Sequence, residues 1–204
     1  SNYNFRNNIG NSIMSKLEAN TLAPSTGTTL TVGESGDTVN IVGTLQNNGA
    51  AVGGLSMADQ WRLTANATGG SADITSNWER NDSTGFGQLG TGMTESSGIF
   101  TFPSTGIYLV RFFLNDIGGS SFLSTYSRIY VTTNNSSYTE VSRGVGTGGA
   151  SDTQVIPCET IVDVTDTSNV KVKFAYYHGD SGSTAKGDSD KNETYVTFLK
   201  LGAT

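Results

Sequence analysis

Apolar residues recur at every second position through most of the chain. In residues 170–177, Val170, Val172, Phe174 and Tyr176 share one phase, while Lys171 and Lys173 hold the other. A strand with one face on a core and the other in water has this period. Comparable runs occur at Trp61, Leu63 and Ala65, at 99–102, 129–131, 160–164 and around Val141, Val155 and Ile156. Clusters of Gly, Asn, Ser and Asp separate them. Many short strands with turn residues between them and no helical period predict an all-β antiparallel sandwich or jelly roll over residues 57–204.

Two strands break the pattern. From 107 to 114, Tyr108, Val110, Phe112 and Leu114 point one way, and Ile107, Leu109 and Phe113 point the other, with Arg111 among them. In the last strand Tyr195, Leu199 and Leu201 oppose Val196 and Phe198. An antiparallel strand that is apolar on both faces is expected to be covered on both. The sandwich covers one. The other, left bare, would be an association surface. Ile107, Leu109, Phe113, Tyr195, Leu199 and Leu201 are therefore the expected subunit interface.

The N-terminal quarter has a different texture. Residues 7–23 carry the only helical spacing, with Ile9, Ile13 and Leu17 four apart and Met14 beside them. A helix this short is marginal alone. Its stripe is expected to dock on a partner, which makes residues 1–25 an anchoring segment. Over 26–56, Leu30 and Val32, then Val39 and Ile41, alternate with polar residues, and turns are expected at Gly33 to Gly36 and at Asn48-Gly49. Strands with so few large residues cannot build a core within one chain. Three copies wound together could, so 26–56 is expected to be a slender trimeric β-shaft.

Composition narrows the function classes. The 204 residues include 26 Gly, charged residues are 15%, and the net charge is −6 without any Lys/Arg cluster. Nucleic acid is not an expected partner. The lone Cys158 excludes an intrachain disulfide and is expected to pack as a small hydrophobe. The opening SNYNFRNNIG lacks the apolar run of a signal peptide, and no segment approaches the roughly 20 apolar residues that cross a bilayer. Folding in a reducing cytoplasm without membrane insertion is the expectation. The sequons at Asn66, Asn81, Asn134, Asn135 and Asn192 then carry no weight.

Candidate chemistry is sparse. Residues 179–182 read GDSG, but the only histidine, His178, is in the same loop as Ser181, where it cannot serve as the distant base of a triad; a polar loop is expected. Asp180, Asp188 and Asp190, with Glu193, crowd one acidic stretch that could hold Ca²⁺, although the spacing is not that of an EF-hand and a solvated loop is the plainer alternative. A carboxylate pair about 5–10 Å apart could also cleave glycosides. Trp78, Tyr138 and Tyr177 could stack on sugars, while Tyr176 has the phase of the core. No other cofactor motif occurs.

FTFPSTGIYLVRFF, residues 100–113, resembles the F-x-x-P-x-x-G-x-Y-x-F strand pair of the globular head of complement component one-q, one of the tumour necrosis factor-like jelly rolls. IVDVTDTSNVKVKF and the closing TYVTFLKLG resemble later strands of that family. The resemblance implies a ten-stranded jelly roll in a tight homotrimer that works by binding. TGTTLTVGESGDTVNIVGTLQNNGAAVG, residues 26–53, is similar to repeats preceding such heads in structural proteins of tailed phages of marine cyanobacteria. Together these imply a non-enzymatic, homotrimeric virion protein, assembled in the host cytoplasm and displayed on the virion surface. Its N-terminus would dock on a capsid or tail protein and its head would meet a host glycan or protein. Capsid decoration, head fibre and short tail spike stay open, as do a polysaccharide-degrading and a purely particle-stabilising trimer.

Overall fold

The computed structural model describes residues 29–32, 35–43, 45–47, 50–51, 54–119, 123–179 and 182–204. The chain divides into two compact units, residues 1–52 and 53–204. The predicted helix with Ile9, Ile13, Met14 and Leu17 lies outside the described residues.

In the first unit, β1 (Gln46–Asn47) and β2 (Ala50–Ala51) form a hairpin in the register Gln46↔Ala51 and Asn47↔Ala50. Asn48-Gly49, the predicted turn, lies outside the described residues. Residues 29–32 and 35–43 are not strands, contrary to expectation. The physical reason is that a strand exists through hydrogen bonds to a neighbour and burial of one face. A single copy of this segment supplies neither, and Leu30, Val32, Val39 and Ile41 are all exposed.

The second unit is an antiparallel sandwich. Its strands are β3 (Ala58–Leu63), β4 (Ala67–Thr68), β5 (Ser71–Asp73), β6 (Trp78–Arg80), β7 (Thr94–Ser96), β8 (Ile99–Thr101), β9 (Gly106–Ile117), β10 (Leu123–Thr132), β11 (Thr139–Gly148), β12 (Thr153–Val164), β13 (Lys171–His178), β14 (Thr184–Ala185) and β15 (Tyr195–Gly202). One sheet runs β12-β9-β15-β3-β6, with β14 taking over beside β9 where β15 ends and β4 pairing with β14. The other runs β11-β10-β13-β8-β7, with β5 also on β13. This is the predicted all-β jelly roll. Among the described residues no helix is long and apolar enough to cross a membrane.

The core lies between the sheets and is aromatic at its centre. The Phe100 ring centroid is 5.4 Å from those of Trp78, Phe174 and Phe198. Tyr108, Val110, Phe112 and Leu114 of β9 enter this core fully buried. Pro103 and Gly106 form the corner into β9. Gly106 has φ +144°, and a Cβ there would meet the Gly202 carbonyl oxygen at 2.5 Å. Only glycine lets the corner close on β15.

Buried charge is paired. Asp59 accepts from the Trp61 indole at 2.9 Å, the Arg80 Nε at 3.0 Å and the backbone N–H groups of Gln60 and Met93 at 2.9 and 2.7 Å. A buried carboxylate so saturated leaves no orphan oxygen. His178 is not in a solvated loop, as its neighbours in sequence suggested. It ends β13, buried, stacked on Tyr176 with centroids 4.5 Å apart. Its Nδ1 is 2.8 Å from the Gly69 carbonyl oxygen and its Nε2 is 2.8 Å from Asp116 Oδ1. The partner that buries it sits on β9, sixty-two residues earlier by number.

Strand β11 closes the sandwich edge. Ser142, Gly144, Gly146 and Gly148 alternate along it, and a Cβ on Gly144 would stand 2.3 Å from the Pro157 carbonyl oxygen of β12. Gly148 has room, its nearest neighbour being Asp152 Cβ at 3.4 Å. Gly144→Ala is expected to destabilise the head by about 1–3 kcal/mol through overpacking, and Gly148→Ala to stay within about 0.5 kcal/mol. Denaturant unfolding of the two variants makes the comparison.

Candidate functional site

The side of β9 turned away from the core is the most distinctive surface. Strand pairing aligns its odd-numbered residues with odd-numbered residues of β12 and β15 and, through β15, with even-numbered residues of β3. One row contains Pro157, Phe113, Tyr195 and Arg62, and a second Ile161, Leu109, Leu199 and Ala58. Five of the predicted interface residues, Ile107, Leu109, Phe113, Tyr195 and Leu199, thus share one face. Leu201 lies at a register shift between Lys200 and Gly202 and is exposed. The Phe113 and Tyr195 rings stack, with centroids 4.6 Å apart and planes 8° from parallel.

The face continues past the residues the sequence singled out. Val155 and Ile161 of β12 are 57% and 64% exposed. Ile161 stands out of phase with Thr160, Val162 and Val164, which is the signal that could have identified it. Where β3 and β6 run, the segment after β6 folds over the face. Arg62 is fully buried beneath it, its guanidinium bonded to Glu79, Asp82 and Ser83 at 3.1, 2.7 and 3.0 Å. Phe86 and Leu89 of that segment are exposed.

A polar row separates the two apolar ones. Arg111 pairs with Glu159 at 2.9 Å, and its guanidinium carbon is 5.1 Å from the Phe113 centroid. Thr197 Oγ1 accepts from Gln60 Nε2 at 2.8 Å, and Gln60 Oε1 accepts from the amides of Asn81 and Asn192 at 2.8 and 2.7 Å. These groups satisfy one another within the chain. A partner covering the face would therefore meet apolar surface and a pre-paired polar seam, with few orphaned donors to desolvate.

The other candidate residues scatter. Asp180 lies outside the described residues. Asp188 caps its own turn: Oδ1 accepts from the backbone of Asp190 and Lys191 at 2.8 and 3.2 Å, and Oδ2 is 3.1 Å from Lys191 Nζ. The Asp190 N–H, then the Lys191 ammonium, hold its carboxyl below the usual carboxylate range. Among the described residues no three His, Cys, Asp or Glu side chains are grouped to hold a metal. Trp78 is not available for sugars. It is buried, donates to the Ile74 carbonyl at 2.9 Å and packs on Phe100 and Phe174. Tyr176 is buried in the core, as its phase implied. Tyr177 stacks on Tyr126, centroids 5.0 Å apart, and Tyr138 lies under the Lys173 ammonium at 4.7 Å. Cys158 is buried on β12, and burial pushes its thiol up.

Solved structures similar to this chain share its fold. The crystal structure of murine APRIL at pH 5.0 matches with a TM-score of 0.53 at 10% identity, covering 71% of this chain and 98% of that one. The structure of Eiger TNF from S. frugiperda matches with a TM-score of 0.51 at 9% identity, covering 74% and 95%. The fold is therefore a TNF-like jelly roll. No protein-family model and no curated protein matches the sequence.

Because Asp188 spends its carboxylate on its own turn, melting temperature is expected to be the same in excess EDTA and in millimolar Ca²⁺; a rise with Ca²⁺ would assign a cation to this stretch. The lowered carboxyl also fixes a sign. The turn's stabilisation is present above the ordinary carboxylate range and is lost as pH falls through the lowered value. An NMR titration of Asp188 should find its midpoint below that of an aspartate in an unstructured peptide.

Proposed function

We propose that this chain is a non-enzymatic structural and binding protein that works as a homotrimer, joined through the outward face of β9, β15 and β12. The carrying observation is that face itself, with apolar rows on both sides of an internally paired polar seam, on a strand whose opposite side is already fully buried. The TNF-like fold is compatible with this reading. The exposed apolar residues of 29–43, which form no strand in one chain, support it independently, since neighbouring copies would supply the missing pairing.

We assign the trimer to a virion, with residues 1–25 docked on a capsid or tail protein and the head turned to the host surface. This rests on the similarity of residues 26–53 to repeats before such heads in phage structural proteins. Two cavities among the described residues lend a glycan-cleaving role no support. One of about 270 Å³ is lined by Ser56, Met57, Thr91, Pro103, Ser104 and Lys200. Another of about 160 Å³ has Asp163 as its only carboxylate. Neither offers the two carboxylates that glycoside hydrolysis uses.

Phe113→Ser and Tyr195→Ser are each expected to weaken assembly by about 1.5–3 kcal/mol per buried ring, repeated at every copy of the interface, while leaving the strand content unchanged. Size-exclusion elution and far-UV circular dichroism read the two effects. Unaltered elution and melting would place the interface elsewhere. Gold labelling of purified particles with an antibody to residues 56–204 is expected to decorate the virion surface. Label on the tail tip would favour a receptor-binding spike and label over the capsid a decoration, whereas unlabelled particles would refute the virion assignment.

A further inference from the structure

Strand β14 meets β9 at only two residue pairs, Thr184↔Ile117 and Ala185↔Asp116. The pairing extends by one bond, from the Lys186 N–H to the Asn115 carbonyl at 2.8 Å. Lys186 therefore stands opposite Asn115, and side chains directly opposite in antiparallel strands share a face. Glu193 reaches both. The Lys186 ammonium nitrogen is 3.5 Å from Glu193 Oε1, and Asn115 Nδ2 donates to Oε2 of the same carboxylate. The backbone frames the trio: Thr194 N–H donates to the Lys186 carbonyl at 3.1 Å, and Thr194 Oγ1 accepts from the Asn115 N–H at 3.1 Å. Asn115 is 8% exposed, and its Oδ1 is buried with no hydrogen-bond partner. Its amide is thus held only through the nitrogen.

We propose that Lys186 and Asn115 are joined by an intramolecular isopeptide bond, with Glu193 as the proton carrier. An amine, a carboxamide and a carboxylate that touches both are the complete set of groups for this exchange. The ε-amine of Lys186 adds through its lone pair to Cγ of Asn115. The Cγ–Nδ2 bond breaks, and Glu193 passes the proton taken from the amine to Nδ2, which leaves as ammonia. One amide bond replaces another, so no oxidant, metal or cofactor is consumed. Lys191 also approaches Glu193, at 3.7 Å, but its side chain is 66% exposed against 32% for Lys186, and it does not face Asn115 in the register. The bond would fasten the acidic stretch before β15 to β9, which β14 meets at only two residue pairs.

Intact-mass spectrometry of the full, denatured chain tests this. The expected mass is below the sequence mass by one ammonia, with a branched tryptic peptide joining Lys186 and Asn115. Lys186→Arg and Asn115→Ala should each restore the full mass, and Lys191→Arg should retain the loss. Glu193→Gln should fold but leave the bond unformed. A wild-type chain at its full sequence mass overturns the proposal whatever the variants do, and reduces the trio to an ion pair and an amide hydrogen bond. Loss of ammonia that persists in Lys186→Arg overturns the assignment of the bond. A Glu193→Gln chain that reacts completely overturns the role given to the carboxylate.

Discussion

A sandwich of two sheets buries one side of each strand, and β9 has two apolar sides. That mismatch organises the molecule. Tyr108, Val110, Phe112 and Leu114 satisfy the interior. Ile107, Leu109 and Phe113 cannot reach it, because side chains alternate strictly along a strand. Every strand paired near β9 answers the same demand. β15 sets Tyr195 and Leu199 beside Phe113 and Leu109, and β12 adds Ile161 and Val155. The result is an apolar surface spanning three strands, which no register slip could turn inward without expelling the core.

The interior tolerates this because it is overdetermined. Phe100 contacts rings from both sheets, and Asp59 ties Trp61, Arg80 and Met93 into one charged node. The outward face is equally ordered. Arg111 and Glu159 pair in the middle of it, and Gln60 collects three side-chain partners. Rigid, pre-paired polar groups lower the desolvation cost of covering a surface, so the seam favours association where loose charges would oppose it.

The long strands were legible in the sequence, and so was the anomaly of β9 and β15, since period two over eight or more residues is a strong signal. Shorter elements mostly were not, β8 within the run at 99–102 being the exception. The strands β4, β5, β6 and β14 have two or three residues each, too few for any period, and Trp78 on β6 therefore looked available for sugar although it belongs to the core. His178 was misjudged for another reason: its burial depends on Asp116 and Gly69, which only the fold brings to it. The polar seam is of the same kind, joining residues 60, 111, 159 and 197 through pairings between strands distant in sequence. Residues 29–32 and 35–43 carried a strand pattern that one chain alone does not realise.

The central claim is that the second face of β9 is an interface between copies of this chain. Sedimentation equilibrium of the full chain at micromolar concentration tests it most directly. The account predicts a mass of three chains. A stable monomer, with the Phe113–Tyr195 face left in water, would contradict it.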